Sequence, residues 1–279
     1  MRKVPRFIDQ KQKELVKIFD EACSRHNRWT VWSDFMEMIA ISISNTVDST
    51  HAAVREESYR RIAKKYTRQE LECCSRIFAE IVLGLEENPD QDFLGELFMT
   101  LNLSNEHNGQ FFTPYDVCRM MAKITEPNIQ GRIERDHWIS VSDPACGAGA
   151  LLVAFANECM AQKVNYQTSV LFVAQDIDFV VGCMCYIQLS LLGCAGYVVI
   201  DNTITKPSTS YDNRGLIPRD SGQVWYTPFY FREEWHYRRQ FFLISNMITP
   251  APQVAQTAVE PEPPAPELVE RNHGQLSFF

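Results

Sequence analysis

The 279-residue sequence predicts an α/β fold: a Rossmann-like parallel sheet, cut short after its third or fourth strand, with a helical region ahead of it. Three observations carry the prediction. Residues 137–159 read as strand, glycine turn and helix. Two later apolar runs, Val170–Gln175 and Ala195–Ile200, each end on an acid, Asp176 and Asp201. Residues 1–100 place their apolar side chains at helical spacing.

In the helical region, Leu15, Ile18, Phe19 and Ala22 mark one helix, and Trp32, Phe35, Met36, Ile39 and Ile43 give a second a wide apolar stripe. Thr67-Arg68-Gln69-Glu70 is a capping box, in which Thr67 and Glu70 each satisfy the other's orphan backbone N–H. It opens a helix through Leu71, Cys74, Ile77 and Ile81 that Gly84 is expected to stop. Asn88-Pro89-Asp90 is a turn, and Asp92–Leu103 a further helix with Phe93, Leu94, Leu97 and Phe98 inward. Thr113 is placed to cap the next helix, with Pro114 at its first position and Val117, Met120, Met121 and Ile124 as its buried side.

His137–Val141 is the first strand. In the turn after it, Gly147 and Gly149 can take backbone angles closed to other residues and let a ligand approach the main chain. Asp143 ends the strand, facing the crevice at the sheet's carboxyl edge. A phosphate cradle would carry Lys and then Ser or Thr after the glycines; neither is present, so a nucleoside-like ligand without phosphates fits better. Leu151, Leu152, Phe155 and Cys159 mark the helix that follows. After the second strand, Asp176 stands where an acid accepts both ribose hydroxyls, and Asp178 caps a buried helix that Gly193 ends. The third strand closes on Asp201-Asn202. Residues 206–223 are polar and turn-rich; a strand over 224–231 and a helix over 232–247 complete the fold.

Hydrophobic residues make up 45 %, ordinary for a globular chain. With no apolar run of eighteen residues and no basic-apolar leader, the sequence reads as soluble, cytoplasmic and without a membrane partner. Nine cysteines without zinc or redox spacing read as small buried hydrophobes, and no metal site is expected. A net charge of −8 argues against a broad grip on phosphates. Arg60-Arg61 with Lys64-Lys65, and Arg232 with Arg238-Arg239, are local basic faces: solvated helix surfaces or DNA contacts.

Asp143-Pro144-Ala145-Cys146-Gly147-Ala148-Gly149 resembles the S-adenosylmethionine-binding motif of adenine-N6 DNA methyltransferases, above all the modification subunits of type I restriction systems. Upstream, Gln110-Phe111-Phe112-Thr113-Pro114 is similar to a second motif of that family. The resemblance covers about residues 92–204 and implies S-adenosylmethionine as cofactor and DNA as partner. It implies a cofactor site of Asp143, Ala145, Gly147, Gly149, Asp176 and Asn202, with Ile177 against the adenine and Phe112 and Thr113 as a lid. Asn202 is either an acceptor for the adenine amine or only a turn residue.

The family's Asn-Pro-Pro-aromatic motif, which holds the flipped target base, is absent. The nearest string is Thr227-Pro228-Phe229-Tyr230, a degenerate candidate for catalysis; a hydroxyl at 227 cannot replace the amide carbonyl. The family's sheet also continues for several strands past this point. The resemblance therefore implies a cofactor-binding half with a reduced or absent catalytic half, and partner methyltransferase or specificity subunits. The alternative is a non-catalytic DNA- or clamp-associated module. Residues 250–279 read as a disordered Pro-rich tail. It ends in Gln275-Leu276-Ser277-Phe278-Phe279, which resembles the peptide by which bacterial replication and repair proteins dock on the sliding clamp. Gln275, Leu276, Phe278 and Phe279 would make that contact, unless the tail folds back on the domain. The expected organisation is a helical region at 1–108, a cofactor-binding domain at 109–249, and the tail.

Overall fold

The computed structural model describes residues 10–103, 112–219, 223–248, 269–271 and 275–277. Five helices come first: α1 (Gln10–Ala22), α2 (Arg28–Ser44), α3 (Ala52–Ala63), α4 (Arg68–Glu87) and α5 (Phe93–Thr100). Then follow α6 (Tyr115–Thr125), α7 (Ile129–Asp136), β1 (Ile139–Asp143), α8 (Ala150–Ala161), α9 (Tyr166–Ser169), β2 (Val170–Asp176), α10 (Phe179–Leu191) and β3 (Ala195–Ile200). After an irregular stretch come β4 (Val224–Tyr226), a 3-10 turn (Pro228–Phe231) and α11 (Glu233–Ile248). The chain divides into two units, 1–239 and 240–279. In the second, β5 (Val269–Arg271) and β6 (Gln275–Ser277) pair antiparallel, with Arg271 opposite Gln275.

The main sheet has the order β1-β2-β3-β4. β1, β2 and β3 run parallel, with Asp143 opposite Ala174 and Asp176 opposite Ile200. β4 runs antiparallel to β3, Tyr226 opposite Tyr197. Among the described residues no strand pairs with the outer edge of β1. Side chains alternate between the two faces of a strand. Val198 and Ile200 point at α10, where Gly182 lets them close in: a Cβ there would lie 2.9 Å from Ile200. Val173 and Tyr197 point the other way, at Gly215. The irregular stretch 203–219 therefore covers the face that lacks helices, pinned by Tyr197 Oη donating to Gly215 O at 2.8 Å and Tyr230 Oη donating to Leu216 O at 2.7 Å. The helical region packs behind α10, chiefly through α2. Arg55 reinforces that junction, donating to Val224 O at 2.7 Å and lying 4.0 Å from the Trp225 ring.

The capping box forms at Thr67, whose main-chain N–H donates to Glu70 Oε2 at 2.7 Å. That bond is the main reason the Glu70 carboxyl is held down at about 2. Gly84 does not stop α4, which runs to Glu87. Its lack of a side chain admits Phe93, whose ring would lie 2.3 Å from a Cβ. Two expectations for α6 are corrected. Its cap is Pro114, with no side-chain cap bond, so Thr113 does not serve. Its buried residues are Cys118 and Ala122, held against α8, whereas Met120 is 55 % and Ile124 70 % exposed. The apolar stripe read as inward faces out, because the two small residues allow the close approach to α8. The strand expected over 224–231 is only three residues long, since Pro228 cannot donate to a ladder and starts the 3-10 turn.

Candidate functional site

The turn after β1 is bound to β2 at its tip. Cys146 N donates to Gln175 O at 3.0 Å and Gly149 N to Cys146 O at 2.8 Å. Asp176 Oδ2 accepts from Gly147 N at 2.8 Å, and its Oδ1 from Asp178 N at 2.9 Å. Asp143 Oδ1 accepts from Ala145 N at 3.1 Å. Gly147 and Gly149 both have positive φ, +53° and +96°, a region strained for residues with a Cβ. A Cβ on Gly149 would lie 2.9 Å from Cys185 Sγ, so α10 and the turn touch without a spacer. The Cys146 thiol, hydrogen-bonded to Cys185 and buried, is pushed well above its ordinary range and is no nucleophile.

These groups surround a cavity of about 370 Å³, within the range of small-ligand sites. It is lined by Phe112, Thr113, Asp143, Ala145, Gly147 and Asp176 among the expected site residues. The Phe112 ring covers Gly147, 2.9 Å from where a Cβ would stand. Among the described residues the lining contains two carboxylates and no cation. Burial raises the Asp143 carboxyl above its ordinary value; Ala145 N–H opposes this and the Asp176 charge adds to it. An uncompensated pair of this kind favours a cationic ligand.

Other expected site residues fall elsewhere. Gly149 supports the turn, outside the lining. Ile177, next to Asp176, is 70 % exposed and also outside it. Asn202 makes a turn: its Oδ1 accepts from Ile204 N at 2.9 Å and Thr205 N at 3.1 Å. That leaves it outside the lining, with the acceptor oxygen already used.

Thr227, Pro228, Phe229 and Tyr230 are not brought to the cavity. Because β4 runs antiparallel, its end lies beside the start of β3. Thr227 Oγ1 donates to Cys194 O at 2.7 Å and accepts from Gly196 N at 3.0 Å. Phe229 rests over Gly193. Thr227 is fully buried, and the Tyr230 hydroxyl is spent on Leu216 O. The four residues stand at the amino edge of the sheet, with Thr227 and Tyr230 spent on main chain, which corrects their candidacy for catalysis. In the tail, Gln275 and Leu276 lie in β6, while Phe278 and Phe279 fall outside the described residues.

The supporting roles of two residues escaped the sequence. Gln188 is fully buried; its Nε2 donates to Ala148 O at 2.8 Å and Asp92 Oδ1 at 2.9 Å, and its Oε1 accepts from Leu94 N at 3.2 Å. It thus fixes the glycine turn to the start of α5, where Asp92 is the cap. Gln175 does the same for the next loop, donating to Lys206 O at 2.9 Å and accepting from Ser208 N at 2.8 Å. The available signal was a single amide in each of two otherwise apolar runs. Cys118, Met121, Cys146, Ala150, Leu151 and Val181 form the rest of the described cavity wall. Among the described residues no cluster of metal-ligating side chains occurs, and no helix is long and apolar enough to cross a membrane.

The family model described as N-6 DNA Methylase matches residues 90–228, from the cap of α5 to the 3-10 turn. No curated protein and no solved structure matches the chain.

Proposed function

Because residues 90–228 belong to the N-6 DNA methylase family, we propose that this chain binds S-adenosylmethionine in the cavity at the carboxyl edge of β1 and β2, as a DNA-associated member that lacks its own target-base site. One observation carries the reading: the Asp176 carboxylate points at the glycine turn and holds Gly147 N–H at 2.8 Å inside an acidic, cation-free cavity. The residues fit the cofactor. Asp176 has acceptor capacity left for ribose hydroxyls, since each carboxylate oxygen carries two lone pairs and each accepts one N–H. Gly147 and Ala145 offer close backbone approach, and the apolar wall of Leu151, Val181 and Phe112 suits a purine or thioether. The negative pair faces a sulfonium better than its neutral demethylated product.

Bound S-adenosylmethionine would supply an electrophilic methyl group for in-line transfer. The chain's part is to orient it: Asp176 sets the ribose, the turn sets the sulfonium, and Phe112 and Thr113 exclude water. Among the described residues the cavity lining holds no amide side chain, its one aromatic ring, Phe112, covers Gly147, and Thr227–Tyr230 stand at the other edge. A second chain, such as a methyltransferase or specificity subunit, would supply the missing amide acceptor and stacking ring. It would meet the open edge of β1 and the outward apolar stripe of α6 beside the cavity.

The test is incubation with methyl-labelled cofactor and mixed DNA, with cofactor retention followed in parallel by equilibrium dialysis. Retention without label in DNA is the expected result for the chain alone. Label in DNA that persists in Thr227→Val but vanishes in Asp176→Ala would show a target-base site outside residues 227–230. Absence of retention would reject the reading.

A further inference from the structure

Apart from Arg61 and Arg219, the arginines with described side chains fall into two groups. From Arg25 to Arg135, every one except Arg61 has a carboxylate within 4.0 Å. Past the sheet's third strand the pattern reverses. Among the described residues, Arg214, Arg232, Arg238 and Arg239 make no ion pair and lie on aromatic rings instead. The Arg214 guanidinium sits 3.6 Å from the Trp138 centroid, Arg238 4.3 Å from Trp235 and 5.9 Å from Trp138, Arg239 4.0 Å from Tyr230, and Arg232 4.9 Å from Phe229. All four gather at the amino edge of the sheet. Trp138 precedes β1, Arg238 Nη1 donates to Thr168 O just before β2, and Phe229 rests over Gly193 just before β3.

Acids stand near two of them, Asp212 and Asp136 by Arg214 and Glu234 by Arg238, but none lies within ion-pair distance among the described residues. Asp212 spends its oxygens on Arg214 N and Leu216 N, and Asp136 is bound by Arg135 and Arg132. Glu233 and Glu234 share the first turn of α11 with these cations and form no ion pair with them. Burial lowers the Arg214, Arg238 and Arg239 pKa values, the direction expected of charges short of a counter-ion, yet arginine stays protonated. Each guanidinium has five N–H donors. Arg214, Arg238 and Arg239 each give one to a main-chain oxygen, Trp138 O at 3.0 Å, Thr168 O at 2.6 Å and Tyr230 O at 2.6 Å. The rings fix the forks in place, so little side-chain entropy remains to be lost when an oxyanion docks. In a chain of net charge −8, four of the six arginines that make no ion pair among the described side chains stand on this one edge; Arg61 and Arg219 lie elsewhere.

We propose that this arginine-on-aromatic cluster at the amino edge binds the phosphodiester backbone of DNA, on the side of the sheet away from the cofactor cavity. A row of forks along three strand ends suits a repeating anion better than a single one. The choice of DNA among polyanions rests on the function proposed above; the anion site itself does not.

The experiment is fluorescence anisotropy of a labelled duplex against the full chain over a salt series. Wild type is expected to bind, with log affinity falling linearly against log salt. Arg214→Gln with Arg238→Gln should weaken binding about tenfold or more at low salt and reduce that slope by about 2. Arg60→Gln with Arg68→Gln, at paired sites, should leave both unchanged. Should the first pair of changes unfold the chain, Arg232→Gln alone should reduce the slope by about 1. Absence of salt-dependent binding in wild type, or an unchanged slope in the folded variants, would overturn the proposal. Tighter binding of inorganic polyphosphate or RNA than of duplex would overturn the assignment to DNA. Cofactor retention is measured on the same samples. Its loss in wild type, with duplex binding intact, would sink the proposed function and leave the anion site standing.

Discussion

At the carboxyl ends of β1 and β2, Asp143 and Asp176 face a cavity with no cation in its lining, whereas at the amino ends of the same strands Arg214 and Arg238 flank Trp138 with no carboxylate at ion-pair distance, both among the described residues. Five to seven residues of strand, roughly 17–23 Å, separate the two. The edges also differ in what their polar atoms have left to give. Asp176 uses one lone pair on each oxygen, while Thr227 and Tyr230 are consumed by main chain. In the proposed function, chemistry on a nucleoside sulfonium would belong to the first edge. The second holds the fold through Thr227 and Tyr230 and would, on the proposal above, present fixed positive charge.

Removing the acid that defines the first edge has the largest expected effect. Asp176→Ala frees the N–H groups of Gly147 and Asp178 and should weaken S-adenosylmethionine binding by about 100-fold, or about 3 kcal/mol, with duplex anisotropy unchanged. Gly147→Val comes next. It puts a branched side chain at φ +53° against the Phe112 ring and should cost cofactor affinity about tenfold, read by the same titration. On the other edge, Thr227→Val strands Gly196 N–H and should lower unfolding stability by about 1–3 kcal/mol in a urea titration. Cofactor affinity should stay within about twofold; a larger fall would mean that the two edges communicate.

The smallest effect is in the pH profile. The folded chain raises the Asp143 pKa through burial, so ionised Asp143 opposes folding at neutral pH and that penalty fades as pH falls into its raised range. The bound sulfonium favours the ionised form. Cofactor affinity should therefore decline as pH drops from 7 through the range above the ordinary 3.8. Asp143→Asn should bind more weakly at pH 7 and show a flatter profile. A profile as steep as wild type would assign the titration to another group.

Much of this was legible from local chemistry. Glycines at 147 and 149, an acid closing each of β1 and β2, and a box at Thr67 are short-range signals that tertiary contacts had no reason to override. What stayed hidden depended on neighbours distant in sequence. The amphipathic pattern of α6 gave the right helix and the wrong inner face, because packing against α8 selects small Cys118 and Ala122. Thr227–Tyr230 looked placed for catalysis until the antiparallel direction of β4 carried it to the other edge. Arg214 and Trp138 are 76 residues apart, and no spacing rule joins them. Gln188 looked like one polar residue in a buried helix, and only the fold shows that it anchors Ala148.

The most direct measurement is calorimetric titration of S-adenosylmethionine into the wild-type chain and into Asp176→Ala at high protein concentration. A saturable, one-to-one heat in wild type that is lost in the variant is the expected result. No heat in wild type, or equal binding by both chains, would contradict a cofactor held between the glycine turn and the acid that closes β2.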